Sequence, residues 1–122
     1  MRIKSFLNRL WGGLPADPVD RVETNAQGFV IWVKSSRFTV PWEKVRSIAI
    51  QHFGGPGDSE RTHYVLALAD REMRVAVSTP GMNEFIQRLQ RVPDLKRRDY
   101  MLAIMSGNEY PVVIWENPQP PP

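Results

Sequence analysis

Cysteine is absent from the 122 residues, which excludes a disulfide framework and any thiolate site, nucleophilic or metal-binding. A reducing, cytoplasmic setting is the expectation that follows. Long apolar runs are missing too; none approaches the roughly 18 residues of a membrane-spanning helix. Residues 1–10 carry positive charge, but Asn8 and Arg9 interrupt their apolar side chains and no small-residue cleavage site follows, so a secretory signal is not expected. Charge of one sign is scarce as well. Sixteen Lys and Arg against 13 Asp and Glu leave a net +3, a balance that solubility alone explains and that gives no reason to expect nucleic acid.

What remains describes one small domain. The chain is 42% hydrophobic, and a chain of this length buries enough surface to hold a core without staples. No internal repeat is visible. Four stretches are expected: an N-terminal amphipathic helix over 1–13, a linker over 14–18, a folded domain over 19–116, and a proline-rich tail over 117–122.

In the first stretch Ile3, Phe6, Leu7, Leu10 and Trp11 recur at helical spacing, while Arg2, Lys4, Asn8 and Arg9 fill the other side. Gly12-Gly13 ends this pattern and Leu14-Pro15-Ala16-Asp17-Pro18 forbids its continuation. From Val19 the period becomes two. Val19–Glu23 reads as a weak strand, and Asn25-Ala26-Gln27-Gly28 as a turn in which Gly28 supplies a positive φ. Phe29–Lys34 follows, with Phe29, Ile31 and Val33 on one face and Val30 and Trp32 on the other. Ser35-Ser36 turns the chain into Arg37–Trp42, whose Pro41 belongs at a strand end or on an edge. After a bend at Trp42-Glu43-Lys44 comes Val45–Phe53, with Ile48 and Ile50 on one face and Val45, Ala49 and Phe53 on the other. Gly54–Arg61 is a polar loop, and His63–Ala69 and Met73–Ser78 form a hairpin around Asp70-Arg71-Glu72.

Thr79-Pro80 then reads as a helix start, hydroxyl at the cap and proline at the first position. Met82, Phe85, Ile86 and Leu89 form an apolar stripe that roofs the sheet, and Pro93 ends the helix. Asp94 is expected to cap a second helix through Met105, with Leu95, Leu102 and Met105 inward. Pro111–Glu116 is a last short strand. The class is α+β: an antiparallel sheet of about six to seven strands, bent or closed into a partly open barrel and capped by a C-terminal helix.

The stretch Phe38-Thr39-Val40-Pro41-Trp42-Glu43-Lys44-Val45-Arg46-Ser47-Ile48, with the lead-in Thr79-Pro80-Gly81-Met82 to an amphipathic helix, is similar to small uncharacterised bacterial proteins with a pleckstrin-homology-like (PH-like) fold. The resemblance spans about residues 19–93 and implies a bent sheet of up to seven strands under a lid helix; it implies no activity. Members that bind phosphoinositides carry Lys and Arg around the first hairpin loop. Here that loop is Thr24-Asn25-Ala26-Gln27-Gly28, without a basic residue. Specific phosphoinositide binding is therefore disfavoured.

Catalytic chemistry finds little support. His52 and His63 flank the glycine-rich loop, and a metal or proton-transfer site would need Asp58 or Glu60 as a third group. No zinc-site spacing is present, so both are read as polar strand-end residues in water. Phe53-Gly54-Gly55-Pro56-Gly57-Asp58 lacks the helix and the Lys-Ser/Thr that a phosphate-cradling loop needs. Ser59, His63 and Asp58 offer no fixed base for a triad. No catalytic residue, cofactor or metal is assigned.

Two surfaces remain. Arg2, Ile3, Lys4, Phe6, Leu7, Arg9, Leu10 and Trp11 suit an anionic membrane surface or a partner groove; the alternative is that they pack on their own domain. Arg88, Arg91, Lys96, Arg97 and Arg98 could meet phosphate, but Glu84, Asp94 and Asp99 dilute them, so a solvated helix face is the expectation. The functional expectation is a non-catalytic module that binds a protein through a sheet edge or the groove beside the lid helix. The alternative is a protein peripheral to the inner membrane face, and the third is a toxin-immunity protein. Against a basic nuclease toxin this last would want an acidic face, and the charge balance has the wrong sign.

Overall fold

The computed structural model describes residues 19–52, 62–106 and 109–118. The expected N-terminal helix with Arg2, Ile3, Lys4, Phe6, Leu7, Arg9, Leu10 and Trp11, the linker to Pro18, the loop from Phe53 to Arg61 and the tail beyond Pro118 lie outside these residues.

Among the described residues seven strands and two helices follow one another: β1 (Arg21–Thr24), β2 (Gly28–Val33), β3 (Ser36–Pro41), β4 (Val45–His52), β5 (Thr62–Leu68), β6 (Glu72–Ala76), α1 (Met82–Leu89), α2 (Arg97–Ser106) and β7 (Val112–Glu116). The strands divide into two antiparallel sheets, one ordered β1-β2-β3 and the other β6-β5-β4-β7. The division falls at Trp42–Lys44, a single 3-10 turn between β3 and β4. Sequence periodicity draws one bent sheet here, because alternation marks strands and not which strands pair.

The alternation itself holds. Val22, Phe29, Ile31 and Val40 are buried from the first sheet, and Ile48, Ile50, Tyr64, Leu66 and Val75 from the second. The stripe on α1 closes over both sheets, with Met82, Phe85 and Leu89 buried and Ile86 partly so. Phe85 is the hub. Its ring lies edge-on to Phe29 at 5.3 Å and to Tyr64 at 6.0 Å, and stacks on Trp42 at 5.7 Å. One side chain thus joins the lid to both sheets, in ring geometries that add to area burial.

Several local expectations are corrected. Parity puts Val45 on the face of Ala49, yet it belongs to the main core with Ile48 and Ile50. Register shifts between Val45 and Ser47 on pairing with β5, so Arg46 is an extra residue and the parity upstream of it reverses. The same device sits in β7, where Ile114 is the extra residue against Ile48 and Ala49 and adjacent Ile114 and Trp115 are both buried. Gly28 takes no positive φ. It is small because a Cβ there would stand 2.1 Å from the Val40 carbonyl oxygen. The turn before it is held by Asn25, whose Oδ1 accepts from the backbone N–H of Gln27 at 2.9 Å and of Gly28 at 3.0 Å. Positive φ occurs instead at Lys34, in the two-residue hairpin loop Lys34-Ser35 closed by the Val33–Ser36 pair. Pro41 ends β3, an edge strand, as expected.

At the lid helix the cap is Gly81, in the left-handed region at φ 92° with no side-chain cap bond, and not Thr79. Thr79 and Pro80 are used otherwise. The Thr79 carbonyl accepts from the Met82 N–H at 3.1 Å, and the Pro80 carbonyl accepts from the Val22 N–H at 2.9 Å, pinning β1 to the foot of α1. A second helix and a last strand follow the lid, as expected, and β7 pairs with β4.

Candidate functional site

A groove of about 740 Å³ lies between α1 and α2. Its floor is Tyr64, Val77, Leu95 and Tyr100. One wall is Ile86 and Gln90 of α1; the other is Met101, Ile104 and Met105 of α2, with Arg97 at one end. Apart from Gln90, Arg97 and the two phenols the lining is apolar, as binding grooves commonly are.

Three tethers fix α2. Lys96 donates its N–H to the Ile114 carbonyl at 2.8 Å, and its ammonium meets the Glu116 carboxylate at 2.7 Å. That hydrogen bond with Glu116 raises the Lys96 pKa above its ordinary value. The Tyr100 and Tyr64 hydroxyls are hydrogen-bonded under the groove. Burial, reinforced by Tyr100, pushes the Tyr64 phenol well above its ordinary range, so it stays neutral. The third tether is His52. Its Nε2 lies 2.8 Å from the Ala103 carbonyl oxygen and its Nδ1 2.8 Å from the Thr62 hydroxyl. A carbonyl only accepts, so in the neutral ring Nε2 carries the proton and Nδ1 accepts from Thr62. Ala103 belongs to the last turn of α2, whose carbonyls lack intrahelical partners. His52 caps one of them.

Both histidines stand at strand ends as expected, but His52 is not in water. His52 is buried on the core face of β4 opposite Thr62, while His63 pairs with Gln51 one position on, which puts its side chain on the opposite face. They do not meet. Among the described residues no group of three or more His, Asp or Glu is placed to hold a metal, and no helix is long and apolar enough to cross a membrane.

The second helix differs most from expectation. Asp94 does not cap it, because the chain first buries Leu95 and bonds Lys96 to β7 before turning at Arg97. Its inward residues are Tyr100 and Ala103. Leu102 and Met105, expected inward, are 52% and 72% exposed, and Met101 and Ile104 are 64% and 45% exposed. Tyr100 to Met105 are six consecutive apolar residues, so no single stripe told the sequence reading which face turns in. That excess of apolar side chains over what one inward face can bury was the sequence signal for the exposed apolar row.

The basic run is dispersed. Arg88 and Arg91 line a small polar recess with Thr24, Glu84 and Gln87, Lys96 is paired with Glu116, and Arg97 borders the apolar groove. On the outer face of the first sheet Trp32 lies between Arg21 and Arg37, their guanidinium carbons 4.4 and 5.5 Å from its ring, and its Nε1–H donates to Glu23 at 3.0 Å. This is a cross-strand ladder that its own partners satisfy. No protein-family model, curated protein or solved structure matches this chain.

Proposed function

We propose that this chain is a non-catalytic protein-interaction module whose groove between α1 and α2 takes an apolar helical segment of a protein partner. The observation that carries the reading is the exposed row Met101, Leu102, Ile104 and Met105 beside that groove. Single exposed apolar residues need no explanation, whereas a contiguous patch of them marks an interaction surface. Amphipathic helices dock through anchors at i, i+3, i+4 and i+7, and unbranched methionines let a wall adapt to what it receives. A PH-like assignment goes with this proposal. Two antiparallel sheets of three and four strands under α1 support it, with β7, returning to β4 after α2, as an addition to the plan.

The test is affinity purification from the source cells at physiological salt, with the intact chain and with a Met101→Asp, Met105→Asp variant verified as folded by circular dichroism. Both positions are exposed, so the fold tolerates the change. The expected outcome is a stoichiometric protein held by the first and lost with the second. Equal recovery with both overturns the groove reading. Sedimentation with phosphatidylserine vesicles runs beside it: an intact chain that sediments, and a chain lacking residues 2–11 that does not, would put the peripheral-membrane reading in its place.

A further inference from the structure

We infer that the helix seated against α2 is the α2 of a second copy of this chain, the two packed antiparallel across a two-fold axis. The inference rests on the groove being a protein-interaction surface and names its partner.

Two features of α2 argue for it together. The first is a row at helical spacing, Arg98, Met101, Leu102 and Met105, standing at i, i+3, i+4 and i+7, every member of it exposed. The second is charge. A helix carries partial positive charge at its N-terminus and partial negative charge at its C-terminus, and is stabilised by acids early and bases late. The lid helix α1 obeys, with Glu84 in its first turn and Arg88 in its last. In α2 the bases stand at the wrong end, although its one acid, Asp99, stands early as the dipole favours. Arg97 and Arg98 stand in the first turn beside Asp99, and the last turn holds no basic residue. Arg97 reaches back to the Val92 carbonyl at 3.4 Å, while Arg98 has no ion pair or hydrogen bond among the described residues.

An antiparallel copy remedies both features at once. With the two-fold axis at the helix midpoint, between Met101 and Leu102, Arg98 of each copy faces Met105 of the other, so each Arg98 lies against the carbonyl end of the opposing helix. The three apolar side chains Met101, Leu102 and Met105 leave water along the same seam, and Met101 and Met105 also line the groove. A parallel pairing would set the arginines against each other and bring no positive charge to either carbonyl end. Closed two-fold pairing is also the commonest symmetry of self-association.

The absence of native cysteine makes the register testable by single substitutions, since a disulfide forms only where two Cα atoms come within about 7 Å. Under mild oxidation Leu102→Cys, next to the axis, is expected to cross-link to itself. Arg98→Cys and Met105→Cys are each expected to stay uncross-linked alone and to form a covalent dimer when mixed. Sedimentation equilibrium of the intact chain should show a dimer, and Arg98→Glu should weaken it about tenfold. Leu102→Lys combined with Met105→Lys should be monomeric with an unchanged circular dichroism spectrum. An intact chain that stays monomeric up to millimolar concentration overturns the inference, as does Met105→Cys cross-linking to itself. If the chain is monomeric while a different protein is still lost from the Met101→Asp, Met105→Asp variant, the groove reading stands and only the identity of its partner falls.

Discussion

At the scale of single residues, positions that look interchangeable in the sequence turn out to be fixed by what lies within a few ångströms of them. A Cβ at Gly81 would sit 1.7 Å from the Val22 carbonyl oxygen, on a backbone already at φ 92°. Left-handed geometry alone costs an L-residue roughly 1–2 kcal/mol, and the collision adds to it by forcing β1 off the foot of α1. Gly81→Ala is therefore expected to lose at least about 2 kcal/mol of unfolding free energy, read by urea denaturation. Glu72 is a different case. It begins β6, its Oε1 is buried without a hydrogen-bond partner, and burial pushes its carboxyl from 4.5 up to about 7. The folded chain holds this proton more tightly than the unfolded one. Its contribution to stability is thus complete below the ordinary carboxyl range and is lost as pH rises through about 7. Full conversion at 1.36 kcal/mol per unit would give roughly 3 kcal/mol, which water reduces to about 1 kcal/mol at a half-buried site. Glu72→Gln should match the parent at about pH 4 and exceed it by about 1 kcal/mol at about pH 8. A constant difference across that range would show that the carboxylate is not the cause.

At the scale of elements, what the sequence disclosed depended on how one-sided each element is. The lid helix was legible because Met82, Phe85, Ile86 and Leu89 fall on one stripe and polar residues fill the rest. The hairpin of β5 and β6 was legible because Tyr64 and Leu66 alternate in step with Val75 and Met73, the pairs that the register brings together. The orientation of α2 was not, because Tyr100–Met105 is apolar without interruption and only tertiary bonds choose its inward face. Those bonds come from residues distant in sequence: Lys96 to Glu116, Tyr100 to Tyr64, and His52 to Ala103 across 51 positions. The groove was legible only as a place beside the lid, since its second wall depends on this choice. Removing one bond should loosen α2 ahead of the sheets. His52→Ala leaves the Ala103 carbonyl and the Thr62 hydroxyl without their partner, and a lost buried hydrogen bond costs roughly 1–3 kcal/mol. Amide hydrogen exchange should accelerate over Tyr100–Met105 by more than it does over β4 and β5. Uniform acceleration through helix and sheet would mean that His52 supports the whole fold and not this helix.

At the scale of the whole molecule, seven strands in two sheets could behave as two separate units, and what prevents this is the lid. β3 and β4 are joined by one 3-10 turn without pairing, so the sheets communicate through packed side chains. Phe85 contacts Phe29 and Trp42 on one side and Tyr64 on the other, and Tyr64 in turn holds Tyr100 and the floor of the groove. Fold and candidate site therefore share one keystone ring. Truncating a buried phenylalanine to alanine costs roughly 3–5 kcal/mol, a large share of the 5–15 kcal/mol that typical domains possess. The loss should be more than energetic, because the cavity opens where the two sheets and the lid meet. Phe85→Ala is expected to broaden the single urea transition, with tryptophan fluorescence and far-ultraviolet circular dichroism no longer coinciding. With Trp11→Phe and Trp115→Phe in the background of every variant, Trp42 and Trp32 report on the first sheet and its seam with the lid, while most of the strand signal comes from the second. Leu66→Ala, a truncation confined to the second sheet, should lower the midpoint while leaving the two probes coincident. If the Phe85→Ala variant keeps one sharp transition by both probes, the sheets are coupled by contacts other than this ring, and the lid is a cover and not a keystone.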